Sequence, residues 1–178
     1  MKNLPRTRNE RLISDEGKVL GVLQKNAHES IDAVAKKCGF SRQKVWRIIK
    51  KLEKDKIIWG YTTICDDETM DQKHYIVLVK RSPVPLDKKT INEILSTRLE
   101  DLVTDLHVRI ENIEFIHGSY DVVFSFWTDN LISAKRFCEQ FNEHYLGYIA
   151  SYELSETIFT VRRASVRNPH IKEQIKFL

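Results

Sequence analysis

The chain has 178 residues and a mass of 21.0 kDa, room for one ordinary domain or two small ones. Hydrophobic residues make up 42%, aromatics 10% and charges 30%, a composition unlike disordered or collagen-like chains, and the longest apolar run, residues 75–79, is too short to cross a bilayer. The formal net charge of +4 divides unequally: residues 1–56 hold 15 Lys/Arg and 7 Asp/Glu, the remainder 14 and 18, so one part suits a polyanion and the other does not.

Residues 1–11 carry Lys2, Arg6, Arg8 and Arg11 around Pro5, either a minor-groove arm or a frayed basic tail. They lack the apolar stretch of a secretory signal, so a cytoplasmic location is expected. Asp15 is placed to cap a first helix, with Val19, Leu20, Val22 and Leu23 at helical spacing and an end expected near Asn26. Ser30 suits the N-cap of a second helix, with Ile31, Val34, Ala35 and Cys38 turned inward; Gly39 ends it in the left-handed position. Ser41 caps a third helix whose inner stripe is Val45, Ile48, Ile49 and Leu52. Three short amphipathic helices in about 45 residues make a small bundle.

Ala35 lies four residues before Gly39, flanked by apolar Val34, Cys38, Phe40, Val45 and Ile48. In a helix-turn-helix the Ala lets the two helices approach and the Gly takes positive φ in the tight turn. A generic helical hairpin would also accept these residues, but the agreement in register favours DNA binding. With the apolar stripe buried, Arg42, Gln43, Trp46, Arg47 and Lys50 share the outer face of the third helix, flanked by Lys44, with Ser41 at its N-terminus. Arg pairs bidentately with guanine and Gln with adenine in the major groove, while Ser41, Lys44 and Lys50 suit phosphates. The face carries one sign of charge until Glu53, unlike a merely solvated helix. Trp46 either joins the core or meets a thymine methyl.

Residues 57–65 are rich in β-formers and predict a strand leaving the first domain, followed by a polar connector over 66–72. The rest reads as strand 74–80, helix 87–106, strand 110–117, a turn at Gly118-Ser119, strand 120–128, helix 131–145 and strand 148–162. That order is βαββαβ, a ferredoxin-like unit with helices on one face of an antiparallel sheet. Tyr75, Val77 and Val79 alternate with Ile76 and Leu78, and Val122, Phe124 and Phe126 with Val123, Ser125 and Trp127, so both faces are apolar. A second sheet from an identical chain would cover the open face, giving a two-fold dimer. Cys38, Cys65 and Cys138 are widely separated and no two histidines stand at metal-ligand spacing, so neither a disulfide framework, a metal nor another cofactor is expected. Residues 163–178 end in a short amphipathic stretch that could fold against a partner chain.

The whole chain resembles the Lrp/AsnC (feast/famine) transcriptional regulators, in an archaeal form. The likeness rests on Val19-Leu20 before Leu23-Gln-Lys-Asn26, residues 30–41, Leu52-Glu53 followed by Ile58-Trp-Gly-Tyr-Thr62, and Ile116-His-Gly-Ser-Tyr-Asp121, which matches the family's Gly-x-Tyr-Asp turn. It spans about residues 13–162 and implies an α+β chain: a winged-helix-like helix-turn-helix domain joined by a linker strand to a ferredoxin-like (RAM) domain. The corresponding division is 1–60 for DNA, 61–72 as linker, 73–164 for effector and oligomerisation, and 165–178 as tail. The resemblance also implies linker strands paired across the dimer axis, assembly to an octamer, and a small effector such as an amino acid at Gly118, Ser119 and Asp121, with Ser155 and Thr157 as weaker candidates. Backbone N–H groups of the turn would hold a carboxylate and Asp121 an ammonium group. His117 replaces the small residue usual in the family.

The expected function is therefore a non-enzymatic, DNA-binding transcriptional regulator acting on double-stranded DNA as a homodimer or larger assembly. Two alternatives remain open. One is a decarboxylase of the related sirohaem type, for which His107, Arg109, His117 and His144 are available. The other is an architectural DNA-coating protein that shares the basic face but has no discrete operator.

Overall fold

The computed structural model describes residues 15–66, 68–103 and 105–173. The basic N-terminal stretch 1–11 and the last five residues of the amphipathic stretch 171–178 lie outside the described residues. The chain divides into two compact units: one holds the described residues up to Ile64 together with Arg162–Arg167, the other Cys65–Val161 and the described residues from Asn168.

In the first unit, α1 (Asp15–Leu23), α2 (Ile31–Cys38) and α3 (Arg42–Lys54) pack on one another. α1 stops three residues before Asn26, although the amide of Asn26 still reaches the Val22 carbonyl at 3.1 Å. Asp15 is the first helical residue, where its charge suits the positive end of the helix. Val19, Leu23, Val34, Ala35 and Val45 form the core, with Val22, Ile31, Cys38, Phe40, Ile48, Ile49 and Ile58 packed against it. Ser30 Oγ accepts from the Ala33 amide at 3.2 Å, and Ser41 Oγ from the Lys44 amide at 3.3 Å, so both predicted caps form. Gly39 takes φ +68°, and the Phe40 amide closes the helix end on the Ala35 carbonyl at 3.0 Å.

The strand expected over 57–65 is replaced by an irregular segment. Beyond α3, the amides of Ile57 and Ile58 both return to the Leu52 carbonyl, at 2.9 and 3.1 Å, and residues 59–66 have no regular secondary structure. β-formers make a strand only where a neighbour supplies the ladder. Here the helical core draws Ile58 in first.

The second unit is built from β1 (Lys73–Arg81), α4 (Lys88–Ser96), β2 (Arg109–Phe115), β3 (Val122–Thr128), α5 (Leu131–His144) and β4 (Ile149–Glu156). Its sheet is antiparallel with strand order β2-β3-β1-β4, the ferredoxin-like arrangement expected. Tyr75, Val77 and Val79 lie opposite Phe126, Phe124 and Val122. They pack beneath Phe137, Cys138 and Phe141 of α5. The long helix over 87–106 breaks in two. Asp87 caps α4, but Ser96 Oγ bonds back to the carbonyls of Asn92 (2.7 Å) and Glu93 (3.4 Å), and Thr97 turns extended. A 3-10 turn over Leu99–Leu102 then carries Leu99 and Val103 into the core.

The final strand, expected to run to residue 162, stops at Glu156. A separate hairpin follows, β5 (Arg162–Arg163) with β6 (Val166–Arg167). It groups with the first unit, although the sequence division places residues 162–164 in the second domain and 165–178 in a tail. Among the described residues, no helix is long and apolar enough to cross a membrane.

Candidate nucleic-acid interface and effector turn

The tight turn at Gly39 sets α3 against α2 through Val45 and Ile48, and so fixes which side of α3 faces water. Ser41, Arg42, Gln43, Lys44, Trp46, Arg47 and Lys50 are all exposed, as the periodicity requires. Trp46 is 52% exposed, which removes it from the core and leaves an aromatic plate on the outer face. Arg42 Nη1 stands 3.3 Å from Asp32 Oδ2, with both side chains about two-thirds in water. Lys44 Nζ pairs with Asp15 at 2.6 Å and sits 4.0 Å above the Phe40 ring. Lys50 Nζ pairs with Glu53 at 2.9 Å. Lys50 and the Tyr61 hydroxyl, which donates to Glu53, hold the Glu53 carboxyl below the usual carboxylate range. Exposed pairs of this kind are worth about 0–1 kcal/mol, so a phosphate can displace the carboxylates.

The side chains of Gln43, Trp46 and Arg47 make no hydrogen bond or ion pair among the described residues. They are the side chains of the outer face of α3 left free of such contacts. Gln43, Lys44, Arg47 and Lys51 line a shallow cleft with Ser41 and Ile48. Lys51 escaped the sequence reading, yet Lys44, Arg47 and Lys51 stand at i, i+3 and i+7 and share one ridge. Its ammonium pairs with Glu16 at 2.6 Å, linking α3 to α1.

The proposed effector residues fall into two separate places. Gly118 and Ser119 are exposed in the turn between β2 and β3. Gly118 does not have positive φ, and a Cβ there would meet nothing within 4 Å, so the turn does not require glycine. Asp121 Oδ2 accepts the Arg81 amide at 2.9 Å with Lys80 Nζ at 3.5 Å, and that amide chiefly holds the carboxyl below its ordinary range. Asp121 thus ties the turn to the end of β1. Ser155 lies opposite Ile76 near the start of β1, and Thr157 Oγ1 is 2.7 Å from His74 Nδ1. At about 3.3 Å per residue these two stand roughly 17–23 Å along the strand from Arg81, so one chain does not gather all five residues.

An apolar cleft adjoins the turn on the helix-covered face, lined among others by Val79, Ile113, Phe115, Val122 and Tyr145, with Arg81. Ile113 and Phe115 remain about half exposed, and Arg81 Nε is buried without a hydrogen-bond partner. Neither feature was legible beforehand, because the cleft sits beside the unforeseen break after α4. The opposite face of the sheet presents Ile76, Leu78 and Val123, partly exposed, beside a polar group in which His74 Nε2 lies 3.0 Å from Glu111 Oε2. Of the residues available to a tetrapyrrole, His107 faces Asp129 at 3.0 Å, His144 faces Glu93 at 2.8 Å, Arg109 lies over Trp127, and His117 is exposed.

Residues 16–58 match the family model of winged helix-turn-helix DNA-binding domains. No curated protein matches the sequence. Among solved structures, the archaeal protein PH0061 is 23% identical with a TM-score of 0.65, over 92% of this chain and 97% of that one. An AsnC family transcriptional regulator from Agrobacterium tumefaciens is 16% identical with a TM-score of 0.61, over 89% and 97%. A feast or famine regulatory protein from M. tuberculosis, complexed with L-methionine, is 14% identical with a TM-score of 0.64, over 85% and 95%. Over the parts covered, the chain therefore has the fold of these regulators, a winged helix-turn-helix followed by an α/β domain with an antiparallel sheet.

Proposed function

We propose that this protein is an Lrp/AsnC-type transcriptional regulator of archaeal form, cytoplasmic and without catalytic activity, that reads double-stranded DNA with α3. The observation that carries the reading is the outer face of that helix: basic, exposed, and holding Gln43, Trp46 and Arg47 unengaged behind a left-handed Gly39 turn. In this reading Arg42 and Arg47 pair with guanine, Gln43 with adenine and Trp46 with a thymine methyl. Ser41, Lys44 and Lys50 position the helix on phosphates.

A homodimer would set two such helices about 34 Å apart, one turn of duplex. Two apolar surfaces support that assembly: the open sheet face around Ile76, Leu78 and Val123, and the segment after α3, where Trp59 is 94% exposed beside exposed Ile57 and Tyr61. Dimers would associate further, up to an octamer. A small amphipathic effector such as an amino acid would sit at the turn of Gly118, Ser119 and Asp121, its apolar part in the adjoining cleft. Ser155 and Thr157 would reach it only from a neighbouring chain. The effector controls DNA binding only through different affinities for two arrangements of the assembly.

Selection of bound fragments from random duplexes at fixed salt tests the reading. A discrete, palindromic motif is expected. Retention without a motif would identify an architectural coat, and failure to retain DNA, with sirohaem converted to a decarboxylated product, would identify an enzyme.

A further inference from the structure

A winged helix-turn-helix takes its name from a β-hairpin beside the recognition helix. Here the segment following α3 forms none, since residues 59–66 are irregular. Among the described residues, the hairpin that groups with the helical unit is β5–β6, more than 100 residues further along the chain. Its sequence is Arg162-Arg-Ala-Ser-Val-Arg167, inside a stretch, 157–172, that has no acidic residue.

This grouping sorts charge. Residues 15–64 contain 11 Lys/Arg and 6 Asp/Glu, and Arg162, Arg163 and Arg167 raise that net from +5 to +8. Residues 65–161 and 168–178 are left with 11 basic and 18 acidic residues, a net of −7. The hairpin geometry is equally specific. Ala164 and Ser165 both take left-handed backbone, φ 41° and 70°, which makes a two-residue tip without the Asn-Gly that such a turn prefers. It places Arg162 directly across from Arg167 in the ladder, both exposed. Like charges in that relation repel. Among the described residues neither guanidinium has an ion-pair partner, whereas Arg163 is engaged. Two opposed, unpaired guanidinium groups on a tight tip form a fork for a phosphate, and guanidinium binds phosphate oxygens with two parallel N–H donors.

We propose that β5–β6 is a wing supplied from the far end of the chain, in which Arg162 and Arg167 hold the phosphate backbone of the duplex. This rests on the reading of the first unit as a DNA-binding domain and adds to it a contact that carries no base information. The sequence hides it because wing and reading helix lie at opposite ends of the chain.

Anisotropy titrations of the full chain on a labelled random-sequence duplex of about 40 base pairs, between about 50 and 200 mM salt, test the proposal. The Arg162→Ala/Arg167→Ala double variant should bind roughly tenfold more weakly at low salt, and its log Kd against log salt should be shallower by about one to two. Preference for a selected site over a scrambled one should not change. Arg167→Glu should weaken binding further than Arg167→Ala, and Arg162→Lys/Arg167→Lys should keep the salt slope. A wild-type chain that does not bind the duplex would sink the DNA-binding reading and the wing together. Wild-type binding with unchanged affinity and slope in the alanine and glutamate variants would overturn the wing alone.

Discussion

The helical unit closes around aliphatic side chains, Val19, Leu23, Val34, Ala35 and Val45, whereas the sheet unit closes around Tyr75, Phe124, Phe126, Phe137 and Phe141. The rings of the second core meet one another at centroid distances from 4.7 to 6.1 Å. Buried aromatic area is the larger stabilising contribution, so the sheet unit should be the more stable partner. Charge divides the same way: the helical unit is basic and the sheet unit acidic. A basic unit with a small core pays self-repulsion on its own, and an anionic partner relieves it. The comparison thus teaches that the two units divide their work by composition: the helical unit carries the positive charge that the proposed contact with DNA requires, and the sheet unit carries the larger aromatic core.

The sharpest way to break this division is to hollow the platform. Phe126→Ala should cost about 3–5 kcal/mol, because it removes a fully buried ring packed on Phe137 and Tyr75. Calorimetry should show the main melting transition falling while the transition of the helical unit holds its place. A common shift of both would mean that the units do not melt separately.

A smaller loss should follow in the helical unit. Gly39→Ala puts a Cβ on a residue at φ +68°, at a cost of about 1–2 kcal/mol. Nothing stands within 4 Å of that Cβ, so the loss comes from backbone strain alone. Urea unfolding followed by the helical circular dichroism signal would measure it, and Gly118→Ala, in open space and without positive φ, should leave stability unchanged.

The slightest expected effect concerns acid. The Asp121 carboxyl is held low by the Arg81 amide, so its stabilisation is complete above the unfolded-state value of about 4 and disappears as pH falls through the folded one. Asp121→Asn should therefore be less stable than wild type at neutral pH, with the difference shrinking below about pH 4. Urea midpoints across that range would show it, and a constant difference would mean that the amide contact is not the cause.

The helix-turn-helix was legible because its determinants are local: a serine three residues before the amide it caps, a glycine at the left-handed stop, and apolar residues at helical spacing. The order of strands in the sheet was legible for a similar reason, from alternation and turns. What escaped depends on partners distant in sequence or on side-chain competition. The hydroxyl of Ser96 returning to two carbonyls ends α4 early, and no period in the sequence announces it. That Asp121 accepts the amide of Arg81 depends on the register that brings the end of β1 beside the turn. The separation of Ser155 and Thr157 from the turn follows from the antiparallel pairing of β4 with β1, which the strand order alone could have disclosed. The grouping of Arg162–Arg167 with the first unit has no signal in local sequence beyond its charge.

The most direct test of the central claim is the affinity of Arg47→Ala for a selected duplex and for a scrambled one at the same salt. Arg47 is exposed and without a partner among the described residues, so its removal disturbs no packing. The variant should lose about 1–3 kcal/mol on the selected site and much less on the scrambled one, whereas Lys50→Ala should weaken both alike. Undiminished preference in Arg47→Ala, with wild-type affinity for both duplexes, would contradict the assignment of α3 as the reading helix.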